Sequence, residues 1–239
     1  FCEHYRRWKS KLDYYMRQEH RYGEKVFIDF SDGLSIIDLS TGEIVPTQLF
    51  LAVWGASNYT YAEATLSQTL PDWIGAHKRA LQYFQSVPRA LVPDNLKSGV
   101  SKACKYDPEI NRTYADMAEH YGCAVIPARP RKPRDKAKAE AGVLLAQRWI
   151  LSVLRKRTFY SLAELNEAVR ECLERLNTRP MRKLKKSRRE VFESMDRPAA
   201  LPPSTAPSHG RRPPPRPPTA LSATSTRPIP GVVPLPFMR

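Results

Sequence analysis

Three acidic residues stand where the neighbouring sequence is apolar or basic. They are Asp29 in Lys25-Val-Phe-Ile-Asp-Phe, Asp94 after Leu91-Val-Pro, and Glu140 in Arg134-Asp-Lys-Ala-Lys-Ala-Glu. In a chain of formal charge +15, acids placed this way suggest a metal cage rather than a solvated surface. Carboxylates drawn from separate elements are the hard oxygen donors that Mg²⁺ or Mn²⁺ takes. Two such ions can clamp both the attacking and the leaving oxygen of a phosphodiester.

The elements that must position them follow from periodicity and punctuation. Lys25–Phe30, Leu34–Leu39 and Gln48–Trp54 are β-rich runs separated by Ser31-Asp-Gly and Ser40-Thr-Gly, which predicts an antiparallel three-stranded meander. From Thr60 the period becomes helical: Tyr61–Leu70 and Asp72–Phe84 read as helices, with Pro71 in the first turn of the second. Arg89–Val92 is a short strand stopped by Pro93. Asn111–Tyr121 is a helix capped by Gly122, and Cys123–Ile126 a further strand. A basic loop then enters a long helix, Asp135 to Arg155, and Ser161-Leu-Ala-Glu164 is a capping box opening another. That last helix carries Leu162, Leu165, Val169, Cys172, Leu173 and Leu176 on one stripe. The order predicts an α/β fold with a mixed five-stranded sheet flanked by helices. The first and fourth strands run side by side, and their carboxyl ends are where open α/β sheets place chemistry.

Each carboxylate has a plain alternative. Asp29 shares a strand face with Phe27, which predicts a covered face, against a merely solvated one. Asp94 follows the Pro that closes its strand, where an ordinary turn would also put it. Counting by three and four from Glu140 gives Val143, Leu144, Gln147, Ile150, Leu151 and Leu154, so Glu140 heads a stripe expected to face the sheet. A salt bridge to Lys136 is the alternative there. Around these acids lie Lys97, Lys102, Arg129, Arg131, Lys132, Arg134, Lys136, Lys138 and Arg148, which suit DNA phosphates or a generic solvated face.

With 39 Lys and Arg against 24 Asp and Glu, and a pI near 9.8, the partner class is polyanionic, nucleic acid before membrane. No stretch approaches the ~20 apolar residues of a membrane span. The four cysteines and five histidines make no zinc spacing, so reduced thiols in a cytoplasmic, nucleoid-associated protein are expected. The first residue is Phe1 and no secretory leader is visible; 1–22, charged and aromatic without Gly or Pro, reads as a helical linker from a missing upstream domain. Residues 23–178 form the core, 179–197 a basic linker, and 198–239 a disordered Pro/Arg-rich tail, acid-free beyond Asp196.

The motifs Phe27-Ile-Asp-Phe, Val92-Pro-Asp-Asn-Leu-Lys-Ser-Gly and Pro130-Arg-Lys-Pro-Arg-Asp-Lys-Ala-Lys-Ala-Glu resemble the catalytic core of DDE transposases and retroviral-type integrases. Gly55-Ala-Ser-Asn-Tyr-Thr-Tyr-Ala-Glu-Ala, Leu70-Pro-Asp-Trp-Ile-Gly and Phe159-Tyr-Ser-Leu-Ala-Glu-Leu-Asn are similar to the IstA-type transposases of insertion sequences, which work with an AAA+ ATPase helper. The resemblance spans roughly residues 20–198. It implies a ribonuclease H-like fold with Asp29, Asp94 and Glu140 as the catalytic, metal-binding triad and two Mg²⁺ (or Mn²⁺) ions. It further implies 3′-end cleavage and strand transfer between transposon-end and target DNA, by a homo-oligomer on DNA. Upstream helix-turn-helix modules, which make the missing upstream domain a DNA-binding one, and a downstream β-rich domain are part of the family pattern. Their absence implies impaired or no autonomous transposition, with the tail a shifted-frame product or a degraded copy. The rivals are a ribonuclease H-type nuclease and a catalytically incompetent DNA- or partner-binding fragment.

Overall fold

The computed structural model describes residues 2–4, 20–93, 100–102, 109–127, 133–182 and 184–203. β1 (Lys25–Asp32) leads through a small ribbon, β2 (Ile36–Ile37) with β3 (Ile44–Val45), into β4 (Gln48–Trp54) and β5 (Thr60–Thr65). β1 pairs antiparallel with β4 from Val26↔Trp54 to Asp32↔Gln48, and β4 with β5 from Gln48↔Thr65 to Val53↔Thr60. The meander is present, but its membership differs from expectation. The apolar run 34–39 supplies only the ribbon, and Thr60–Thr65, read as the start of a helix, is the third strand. Every residue of β5 is buried, so it shows no alternation, while Ala62, Glu63 and Ala64 are helix formers.

Glu63 survives inside a strand because α1 (Leu70–Phe84) brings Arg79 to it. Arg79 Nε and Nη2 donate at 2.7 and 2.8 Å, and Tyr61 Oη donates at 2.9 Å. Pro71 lies in the first turn of α1, as its fixed φ favours. Also on α1, Trp73 packs its ring 5.6 Å from Phe30 and 6.2 Å from Phe50.

β6 (Ala90–Pro93) then pairs parallel to β1, from Lys25↔Ala90 to Ile28↔Pro93. Beyond it come the pair β7 (Val100–Lys102) and β8 (Glu109–Ile110), and α2 (Arg112–Tyr121). The Asn111 side chain accepts from Thr113 N–H at the start of α2, and Gly122 at φ +70° closes it in the left-handed region. β9 (Ala124–Val125) adds in parallel beside β6, completing a five-stranded sheet in the order β5-β4-β1-β6-β9. The expected adjacency of the first strand and the one ending at Pro93 is observed.

α3 (Pro133–Ala146) packs against β1 and β4, then widens into a π-helical turn at Gln147–Leu151 before a last turn at Ser152–Leu154. α4 (Leu162–Thr178) starts at Ser161, whose side chain accepts from Glu164 N–H; Glu164 in turn accepts from Tyr160 N–H, one residue earlier than a capping box requires. α4 closes the open edge of β5 with two carboxamides. Asn166 accepts from Ala64 N–H at 2.7 Å and donates to its carbonyl at 3.0 Å; Asn177 does the same to Thr60 at 3.1 and 2.7 Å. Each amide takes the place of a neighbouring strand's peptide group.

Residues 179–182 and 184–197, within the stretch 179–197 read as a basic linker, are packed structure instead. α5 (Arg188–Val191) is held by a full capping box between Ser187 and Glu190, and it continues helically through Ala199. Phe192 stacks on Tyr59 at 4.5 Å and lies 5.4 Å from Trp54. Asp196 is fully buried, its carboxylate accepting from Gly23 N–H at 2.8 Å and Ser57 N–H at 3.0 Å. Val191 and Phe192 are the apolar residues of this segment that pack inward, which a count of its charges does not reveal. Leu201, within the segment expected to be disordered, bridges Val87. Residues 204–239, and 5–19 of the expected N-terminal linker, lie outside the described residues.

Candidate active site

Asp29 is half-buried near the carboxyl end of β1, and its Oδ1 accepts from the neighbouring Phe30 N–H at 2.8 Å. Alternation puts Val26, Ile28 and Phe30 on the face covered by α1, and Phe27, Asp29 and Ser31 on the other. The register sets Phe27 opposite Val53 and Asp29 opposite Leu51, so these residues share that second face. It is covered: Phe27 is 5% exposed.

The cover is the helix that carries Glu140. A Cβ placed on Gly142 would lie 2.7 Å from Val53 Cγ2, so α3 approaches the sheet closely by its smallest residue. Its buried positions are Gly142, Ala146, Ile150 and Leu154, whereas Glu140 and Leu144 are exposed. The expectation that Glu140 heads the coreward stripe is therefore corrected. Bulk apolar residues suggested one face, but the small ones Gly142 and Ala146 let the backbone dock on another. Glu140 therefore carries no burial cost. Its helix nevertheless stands on the sheet face that presents Asp29.

Asp94 lies outside the described residues. Ile28 is paired with Pro93, so the described register stops one residue short of Asp29 on one strand and of Asp94 on the other. Carboxylates from two elements on one sheet face suit a hard divalent cation. Among the described residues no three His, Cys, Asp or Glu side chains converge as a metal site. Of the expected DNA contacts, Lys97, Arg129, Arg131 and Lys132 lie outside the described residues. Lys102 ends β7, Arg134, Lys136 and Lys138 are on the opening turns of α3, and Arg148 is exposed on the π-helical turn. None of the described helices is long and apolar enough to cross a membrane.

The solved structures agree with this geometry. The catalytic core domain of BIV integrase superposes with a TM-score of 0.53 over 72% of this chain and 95% of that one, at 12% identity. The HTLV-2 integrase catalytic core domain in complex with magnesium gives 0.52 over 73% and 99%, at 11% identity. The fold is that of an integrase catalytic core. Among sequences, the putative transposase y4uI of Sinorhizobium fredii is 49% identical over 204 residues, 84% of this chain and 40% of the relative. The putative transposase for insertion sequence IS408 of Burkholderia multivorans is 46% identical over 203 residues, 84% of this chain and 39% of the relative. The chain thus spans about two fifths of the length of these relatives. No protein-family model matches it.

On this integrase-core fold, sequence reasoning missed Gly142, whose signal is a lone glycine inside a long helix, and Asn166 and Asn177, polar residues interrupting the face that α4 turns to β5. It also missed Arg179, Arg182 and Arg188, which gather with Trp149 at the other end of the sheet. Their signal was present as a basic run but was assigned to a linker.

Proposed function

We propose that the chain is the catalytic core of an insertion-sequence DNA transposase of the IstA type, acting on transposon-end and target DNA. The observation that carries this reading is the placement of Glu140's helix on the face of β1 that presents Asp29, with the strand leading to Asp94 alongside. The names of the relatives support the substrate class.

In this reading water attacks the phosphorus at the element's end and the DNA 3′ oxygen leaves as a hydroxyl. That hydroxyl then attacks a phosphorus of target DNA, expelling a second 3′ oxygen. Held by Asp29, Asp94 and Glu140, two Mg²⁺ or Mn²⁺ ions would activate the attacking oxygen and stabilise the leaving one. The Phe30 N–H fixes the Asp29 carboxylate, and the close seating of α3 at Gly142 sets the height of Glu140 above the sheet. Basic residues on α3 and its approach neutralise the DNA backbone, and a homo-oligomer with an AAA+ ATPase partner brings the two DNAs together.

Mn²⁺ binding followed by electron paramagnetic resonance tests the site, with a loss of about tenfold or more expected for Asp29→Asn and for Glu140→Gln. Binding indifferent to both substitutions removes the site. With Mg²⁺ and duplexes bearing the element's ends, 3′-nicked and joined products should appear at the low level expected of a chain spanning two fifths of its relatives, and vanish in both variants. Nicks without joining would make the protein a nuclease.

A further inference from the structure

At the end of the strands remote from Asp29, a cleft of about 620 Å³ opens between the loop after β4, the end of α4 and residues 179–188. Gly55 N–H donates to Lys25 O, which fixes this loop at the start of β1, four residues or roughly 13 Å before Asp29. The cleft is lined by Tyr22, Trp149, Arg179, Arg182 and Arg188, and by no Asp or Glu.

These arginines differ from the others that pack on the core. Arg79 meets Glu63 and Arg189 meets Glu174, but among the described residues Arg179, Arg182 and Arg188 have no carboxylate partner. The Arg179 guanidinium lies 4.4 Å over the Trp149 ring. Arg188 Nη1 donates to Leu176 O at 3.0 Å, while its Nε is buried without a partner. Burial, and then the charge of Arg179, hold the Arg188 guanidinium below its usual pKa, as expected where cations gather without an anion. Arg182 stands on a turn pinned at its base, since Pro180 bridges Ser187 and Met181 N–H donates to Lys186 O at 2.8 Å. Trp149 sits in the π-helical turn, an irregularity that recurs at functional sites.

The chemistry selects the ligand. Unpaired guanidinium groups call for an anion, and the cleft is far larger than a lone phosphate needs. Arginines beside aromatic side chains are what single-stranded nucleic-acid sites combine, phosphates on the cations and bases on the rings. A duplex can offer phosphates to such a cleft, but its bases are stacked inside and cannot reach the rings. We propose that this cleft binds a single-stranded DNA segment, with phosphates on Arg182 and Arg188 and a base against Trp149 or Tyr22. It rests on the reading of the chain as a DNA transposase core and adds a DNA site remote from the carboxylates.

Ultraviolet crosslinking of the full chain to an oligothymidylate carrying iodinated deoxyuridine, with the crosslinked peptides identified by mass spectrometry, tests it. Crosslinks are expected at Trp149 or Tyr22, falling about tenfold in Arg179→Glu/Arg182→Glu. Both arginines are exposed, and an unchanged melting temperature shows that the fold is kept. No crosslink at either aromatic overturns the proposal. So does equal displacement by a duplex of the same length, which means backbone steering alone, or by polyglutamate, which means an acidic protein segment. Asp29→Asn should leave the crosslinks intact. Crosslinks kept in a protein with no Mn²⁺ site would sink the catalytic reading and spare this one.

Discussion

His77 shows how one buried residue sets a condition on the whole fold. Its ring is 1% exposed, Nδ1 lies 2.7 Å from Trp73 O and Nε2 3.1 Å from Tyr114 Oη. The neutral tautomer satisfies both, Nδ1–H donating to the carbonyl and Nε2 accepting from the phenol. Burial pushes its pKa down from 6.5 to about 4. The unfolded chain therefore binds a proton through that window while the folded chain does not. Stability is complete above pH 6.5 and falls as the pH drops toward 4, by an amount on the order of 3 kcal/mol. Urea unfolding across this range should show the slope, and His77→Gln should flatten it. Residue-scale reading of the sequence worked where a polar group shares a strand face with a large apolar one, as Asp29 does with Phe27. It failed at Glu140, because apolar bulk was taken to mark the docking face of a helix that docks by a glycine.

At the scale of elements, the two carboxamides on α4 decide whether β5 has an open edge. Asn177 is fully buried and meets both the N–H and the C=O of Thr60. Removing it strands two polar groups, so Asn177→Ala should cost about 2 kcal/mol in a guanidinium titration. Asn177→Asp should do no better, since a carboxylate accepts from the N–H but cannot donate to the carbonyl. The same arrangement explains what was legible. α1, α2 and α4 were readable because Pro71, Gly122 and Ser161 act locally, through dihedral angles and caps. β5 was not, because what makes Thr60–Thr65 a strand is remote: Val53 and its neighbours on one side, Asn166 and Asn177 on the other. Packing likewise reclaimed the charged stretch after Arg179, whose few apolar residues, Phe192 foremost, are placed by Tyr59 and Trp54.

For the whole molecule the governing quantity is charge, +15 over 239 residues. DNA affinity should fall linearly with the logarithm of salt concentration, with a slope near −0.9 per phosphate contact on duplex and near −0.7 on single strands. Measured by fluorescence anisotropy, Arg179→Glu/Arg182→Glu should shallow the single-strand slope by one to two contacts and leave the duplex slope nearly unchanged. Equal flattening on both would assign those arginines to general steering.

The buried carboxylate of Asp196 also orders events in time. It is the chain's last acidic residue, yet it holds the N–H of Gly23, at the doorway to the central strand. Synthesis delivers this latch 173 residues after the Gly23 it holds. A nascent chain can pair β1 with β4 and β6 soon after each emerges, but its entry stays unlatched until the helical stretch that carries Asp196 leaves the ribosome. A polypeptide interrupted between β9 and that stretch would carry the sheet with its first joint undone, exposed to proteolysis at Gly23.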